Sequence, residues 1–154
     1  MATGQHVHPV QAGPVVGAVR VVRAAGAEDA APEEGLTSVV AVTIDPSEPV
    51  FAGHYPNFPI FPGVCVVECV HRGAAATAPQ GWRLELMAME SVRFSGAVHP
   101  GDDLEITMRW RRSDGFWTCA SQVRGPRATV AQVRLRYRAH SETSGAARAD
   151  RSVR

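Results

Sequence analysis

At 154 residues, with 45% hydrophobic and 20% charged residues, the chain suits one domain that buries its own core without metal or disulfide staples. Its 16 basic residues nearly cancel 15 acidic ones, leaving a formal net charge of +1. That balance excludes a whole-molecule field for nucleic acid or acidic membrane, so any electrostatic partner must meet a local patch. Cys65, Cys69 and Cys119 form no disulfide framework and fit a reducing cytoplasm. Cys65 and Cys69 share a helix face, but no second Cys or His pair completes a metal site, and all three read as small buried hydrophobes. No basic and apolar leader opens the chain and no apolar run reaches spanning length, so a cytoplasmic protein is expected, with no membrane partner.

In chain order, residues 1–14 are polar and expected to be flexible, residues 15–140 form a single domain, and the apolar-poor residues 141–154 are expected to be disordered. The Val-rich stretch Val15 to Val22 predicts a strand, followed by a soluble loop over 24–35. Leu36 to Ile44, with Val39, Val40, Val42 and Ile44, predicts a second strand that Asp45-Pro46 stops. Pro62-Gly63 opens the one long helix, which runs to about Ala78. The first half of that helix is apolar on nearly every side, the pattern of a helix wrapped by its surroundings. Strands follow near 83–94, 103–112, 116–124 and 128–139. Leu104, Ile106, Met108 and Trp110 alternate onto one face, as do Val130, Val133, Leu135 and Tyr137. The pattern is α+β, a mostly antiparallel sheet of five to seven strands with one central helix.

Two residues in the middle of the chain carry chemistry. His54 lies between Gly53 and a segment pinned by Pro56, Pro59 and Pro62, where an imidazole would be held in one place, as a catalytic base requires. Glu68 interrupts the apolar run 64–70. Two readings stand for it: a carboxyl desolvated by Val64, Cys65, Val67 and Cys69, with a pKa raised into the range of a proton donor, or an exposed residue paired with Arg72 one turn on. The helix start at Pro62-Gly63 adds free backbone N–H groups suited to a carbonyl oxygen that gains charge, with Gly63 and Val64 placed to meet a substrate. Base, acid and oxyanion site together describe proton abstraction beside a carbonyl with loss of a β-hydroxyl. Phe58, Phe61, Trp110, Phe116 and Trp117 are candidates for an acyl tunnel or simply for the core. Arg109, Arg111 and Arg112 are candidates for a rim that meets an acidic partner.

The run His54-Tyr55-Pro56-Asn57-Phe58-Pro59-Ile60-Phe61-Pro62-Gly63-Val64, followed by Glu68, resembles the His-Phe-Pro-Gly-x-Pro-x-x-Pro-Gly-x-x-x-x-Glu motif of bacterial 3-hydroxyacyl-acyl carrier protein dehydratases of the hot-dog fold. Val92 to Leu104, with Pro100-Gly101-Asp102, is similar to a second block of that family. The resemblance implies a long helix wrapped by a curved antiparallel sheet and a dimer whose two sheets join edge to edge. It implies that His54 removes the C2 proton of a (3R)-3-hydroxyacyl thioester, that Glu68 of the other subunit protonates the departing hydroxyl, and that the Gly63 N–H holds the thioester carbonyl. The product would be a trans-2-enoyl thioester, and the only prosthetic element implied is the phosphopantetheine arm of an acyl carrier protein. Asn57 departs from a family Gly, Arg72 from a common Gln, and Pro9 to Val22 from the family's N-terminal run. These departures suggest a pathway-dedicated enzyme of polyketide or polyene assembly rather than of housekeeping fatty acid synthesis. Two alternatives are a hot-dog acyl thioesterase and a subunit of a heterodimeric dehydratase that is inactive alone.

Overall fold

A computed structural model describes residues 15–25, 36–53, 57–79 and 82–141. The expected flexible terminus 1–14 and the loop at 26–35 lie outside the described residues, as does all but Ser141 of the expected tail. Six strands, β1 (Arg20–Arg23), β2 (Leu36–Thr43), β3 (Trp82–Phe94), β4 (Asp103–Ser113), β5 (Phe116–Arg124) and β6 (Thr129–Ser141), form one antiparallel sheet in the order β1-β2-β4-β5-β6-β3. Two helices interrupt them, α1 (Val50–Gly53) and α2 (Gly63–Ala76). The short α1 has no counterpart in the sequence reading.

Period-2 alternation decides which face of the sheet is dry. Leu104, Ile106, Met108 and Trp110 of β4, and Val133, Leu135 and Tyr137 of β6, turn inward and are almost wholly buried. They meet Cys65, Val66, Cys69, Val70 and Ala74 of α2 in a single core. Burial pushes the Cys69 thiol up to about 12 and the Cys119 thiol up to about 11. At neutral pH these residues are protonated and pack as small hydrophobes.

Helix and sheet approach closely at Gly73. A Cβ there would lie 2.8 Å from Val40 Cγ2 and 3.4 Å from Met108 Cε, so the residue must be glycine for the helix to sit this deep. A buried hydrogen-bond chain locks the same end. Trp110 Nε1 donates to Ser38 Oγ (2.9 Å), Ser38 Oγ lies 2.9 Å from Thr77 Oγ1, and Thr77 Oγ1 donates to the Gly73 carbonyl (2.8 Å). Because the Thr77 proton goes to Gly73, Ser38 must donate to Thr77, and each hydroxyl in the chain is satisfied.

One expectation needs correction. The Val15 to Val22 stretch becomes a strand only from Arg20, in β1 (Arg20–Arg23). The N–H groups of Val16 and Gly17 instead donate to the buried carboxylate of Glu48, at 2.9 and 2.7 Å, which removes them from any ladder. As expected of a wrapped helix, α2 packs against β1, β2, β4, β5 and β6, and it keeps one open stripe. Val64 remains 70% exposed and Val67, Glu68 and His71 are half-buried.

On an open helix, Gly→Ala gains up to about 1 kcal/mol. Gly73→Ala is expected to lose about 1–3 kcal/mol in urea unfolding, because the added methyl overpacks against a β-branched side chain. A stabilised variant would contradict the close packing.

Candidate active site

The segment leading into α2 is anchored from beneath. Phe61 is 2% exposed, packs its ring 6.0 Å from that of Phe51, and donates its N–H to the Val98 carbonyl at 2.7 Å. Val98 belongs to the turn that ends at Asp102, and that turn is itself tied down. Gly101, at φ +86°, donates its N–H to the Ile44 carbonyl (2.6 Å), and Ile44 N–H donates to the Asp102 carbonyl (2.9 Å). The left-handed backbone at 101 explains the glycine in Pro100-Gly101-Asp102. His99 N–H donates to Asp102 Oδ2 at 2.9 Å, which makes this block a scaffold for the loop.

Pro62 caps α2 with φ −62° and ψ 145° and supplies no side-chain acceptor. Its carbonyl takes the N–H groups of Cys65 and Val66, at 2.9 and 3.2 Å. The N–H groups of Gly63 and Val64 find no acceptor among the described residues. Two unsatisfied donors at the positive end of a 14-residue helix are a ready site for an oxygen that gains charge. A side chain at residue 63 would collide with this arrangement, since its Cβ would lie 2.6 Å from Phe94 Cζ.

Glu68 lies one turn along from Val64 on the open stripe Val64, Val67, Glu68, His71. Its side chain is 29% exposed, and Arg72 Nε donates to its Oε1 at 3.0 Å. Within one chain the paired reading therefore describes the carboxylate, and the desolvating cage does not form. His71, missed in the sequence, places Nδ1 2.9 Å from Tyr137 Oη and stacks on that ring at 5.9 Å. Burial raises the Tyr137 pKa far above its ordinary value, so its hydroxyl stays protonated and can donate to His71. The only signal for His71 was its spacing of three from Glu68.

The other candidates are dispersed. His54 lies outside the described residues, directly after Gly53, the last residue of α1. Phe58 is 63% exposed, whereas Phe61, Trp110 and Trp117 belong to the core. Arg109, Arg111 and Arg112 do not form one rim. Arg109 and Arg111 are exposed on the outer face of β4, whereas Arg112, of opposite parity, lies over the Trp82 ring at 4.3 Å. Among the described residues no group of three or more His, Cys, Asp or Glu could hold a metal ion, and no helix is long and apolar enough to cross a membrane.

A half-exposed pair in a helix contributes little. Arg72→Gln should change unfolding free energy by less than about 1 kcal/mol in denaturant titration. A loss above about 2 kcal/mol would make Glu68 and Arg72 a structural pair.

Comparison with known proteins places these features in context. Residues 30–134 match the ApeI-like family model, described as ApeI dehydratase. The 3-hydroxyacyl-[acyl-carrier-protein] dehydratase FabZ of Cereibacter sphaeroides is 34% identical over 94 residues, covering 56% of this chain and 59% of that protein. The enzyme of the same name from Ehrlichia chaffeensis is 32% identical over 108 residues, 66% and 74% of the two chains. The chain thus spans about six-tenths of the length of the first of these relatives. Among solved structures, the dehydratase heterocomplex ApeI:P from Xenorhabdus doucetiae superposes with a TM-score of 0.56 at 23% identity, covering 70% of this chain and 91% of that one. A hot-dog-like protein from Thermanaerovibrio acidaminovorans superposes with a TM-score of 0.61 at 15% identity, covering 75% and 89%. The fold is the hot-dog fold.

Proposed function

The chain belongs to the ApeI-like dehydratase family, and we propose on that footing that it dehydrates 3-hydroxyacyl thioesters carried on an acyl carrier protein. The observation that carries this reading is the pair of free N–H groups at Gly63 and Val64, one helical turn before Glu68 on the same open stripe. A thioester carbonyl held at those donors gains negative charge as the C2 proton leaves, and the helix dipole stabilises it. His54 takes that proton. The electron pair of the C2–H bond becomes the C2=C3 double bond, the C3–O bond breaks, and a proton from Glu68 completes the departing water. Acidity at C2 comes from the thioester, so the step calls on no metal or organic cofactor.

The protein acts as a dimer, with the Glu68 of one chain completing the pocket that the His54 of the other begins. Support comes from what the single chain leaves open. Leu86, Met87, Met89 and Phe94 are exposed along the 13-residue edge strand β3, and Val64 is exposed next to Gly63, which meets Phe94. A long apolar sheet edge with an apolar helix stripe next to it is a surface that pairs with another chain. The departures at Asn57 and Arg72 favour a dedicated polyketide or polyene pathway over general fatty acid synthesis.

The contact between Arg72 and Glu68 also favours a second reading, in which this chain is one subunit of a heteromeric dehydratase and its own dimer is idle. The Xenorhabdus doucetiae neighbour is itself a heterocomplex.

Purified protein given a 3-hydroxyacyl thioester should produce an enoyl thioester, followed by near-ultraviolet absorbance and mass loss of water. Glu68→Gln and His54→Ala should each lower the rate by about 10²-fold or more. Full activity in both variants overturns the assignment of these roles, and release of free thiol in place of water loss indicates a thioesterase. A folded dimer that turns over only with a second hot-dog chain selects the heteromeric reading.

A further inference from the structure

The outer face of the sheet, opposite α2, carries a feature that the dehydration chemistry does not use. β5 runs between β4 and β6, and its outward residues there are small or neutral: Thr118, Ala120 and Gln122. Arginines flank this floor in register. Arg109 pairs with Ala120 and Ala120 with Arg134, while Arg111 pairs with Thr118 and Thr118 with Arg136. The result is a groove of about 700 Å³ at the level of Thr118 and Ala120, walled by Arg109, Arg111 and Arg134, with Glu90 also on its lining. It continues along β5 into a second hollow of about 300 Å³ that shares Arg109, Ala120 and Arg134 and reaches Thr107, Gln122 and Gln132.

The charges in this groove are not balanced within the chain. Arg136 lies 3.7 Å from Glu90, and Arg138 lies 3.9 Å from Glu85, which also takes His140 at 3.0 Å. Arg109, Arg111 and Arg134 have no acidic partner among the described residues. With Glu85 and Glu90 committed and the one further acid of this face of β4, Glu105, lying beyond the Thr107 end, three guanidiniums are left over around a neutral floor, an arrangement electrostatically complementary to an anion.

The shape distinguishes the kind of anion. From the row of Arg111 to the row of Thr107 the groove is about 13 Å long, and the flanking strands are about 10 Å apart. Compact anions such as phosphate are gripped where donors converge on one point, whether backbone N–H groups at helix ends and nests or clustered guanidiniums. Here the backbone N–H groups are committed to the β4, β5 and β6 ladders. Side chains of Arg, Thr and Gln along a trough instead match carboxylates and main-chain groups repeated along a polypeptide.

We infer that the outer groove along β5 docks an acidic polypeptide segment of a protein partner, with Arg109, Arg111 and Arg134 binding its carboxylates. This surface is separate from the helix stripe that holds Glu68, so its occupancy and the turnover reaction are measured independently.

The test uses the full chain and a fluorescein-labelled twelve-residue peptide of alternating Glu and Ala, followed by fluorescence anisotropy. The wild-type protein should bind and lose affinity as salt shortens the Debye length from about 10 Å at 0.1 M to about 3 Å at 1 M. The triple variant Arg109→Gln, Arg111→Gln, Arg134→Gln should bind about tenfold more weakly. The matching Lys triple should retain most binding, and Arg20→Gln, Arg23→Gln, Arg112→Gln, which removes equal charge elsewhere, should stay within about twofold. Circular dichroism checks that each variant is folded. Absence of wild-type binding, equal weakening in both Gln triples, or displacement of the peptide by pyrophosphate at matched charge would each overturn the inference.

Discussion

The seating of α2 against the sheet at Gly73 is the constraint on which the remaining structure depends. With no Cβ at that position, the helix drops onto Val40 and Met108, and the chain of hydrogen bonds from Trp110 through Ser38 and Thr77 fixes its C-terminal end. A helix pinned at one end and buried along one face has its other end placed for it. That other end is Pro62-Gly63, held from below by the Phe61 to Val98 hydrogen bond and from the side by Phe94. The N–H groups of Gly63 and Val64, without an acceptor among the described residues, are thus presented by packing.

The same seating accounts for what the chain leaves unfinished. Burying Cys65, Cys69 and Val70 turns Val64, Val67, Glu68 and His71 outward, beside an edge strand that exposes Leu86, Met89 and Phe94. Folding one chain cannot satisfy that surface. In the proposed dimer a second copy covers it, and each pocket then draws its acid and its base from different chains. The outer face of the sheet follows a different logic. Its arginines alternate with the core residues of β4 and β6, so every inward Ile, Met, Leu or Tyr that builds the core projects a neighbour into solvent.

Most of the fold was legible in the sequence because β-branched alternation and turn residues act locally. The strands of the C-terminal half start and stop within a few residues of where the patterns of Leu104 to Trp110 and Val130 to Tyr137 place them. The stretch Val15 to Val22 misled, since nothing local reveals that Glu48, more than thirty residues later, captures the N–H groups of Val16 and Gly17. The helix was legible from its apolar first half, which the sheet wraps through contacts from β1, β2, β4, β5 and β6. Of the proposed site residues, Gly63 and Glu68 stand out in the sequence because a proline-led helix start and a carboxylate in an apolar run are both anomalies. His71 and Arg134 were not singled out, since their roles depend on Tyr137 and on the β4 arginines, which only strand register brings near. Arg112 was grouped with Arg109 and Arg111 by nearness in sequence, and the parity of a strand separates them.

The central claim is that the base and the acid of one pocket come from two copies of this chain. Mixing separately inactive His54→Ala and Glu68→Gln proteins, with subunit exchange by mild unfolding and refolding, tests it directly. Random reassortment makes half of the dimers mixed, each with one intact pocket, so the account predicts recovery of about one-quarter of wild-type dehydration activity. A mixture as inactive as its parents, under conditions where native mass spectrometry shows that mixed dimers have formed, would contradict it.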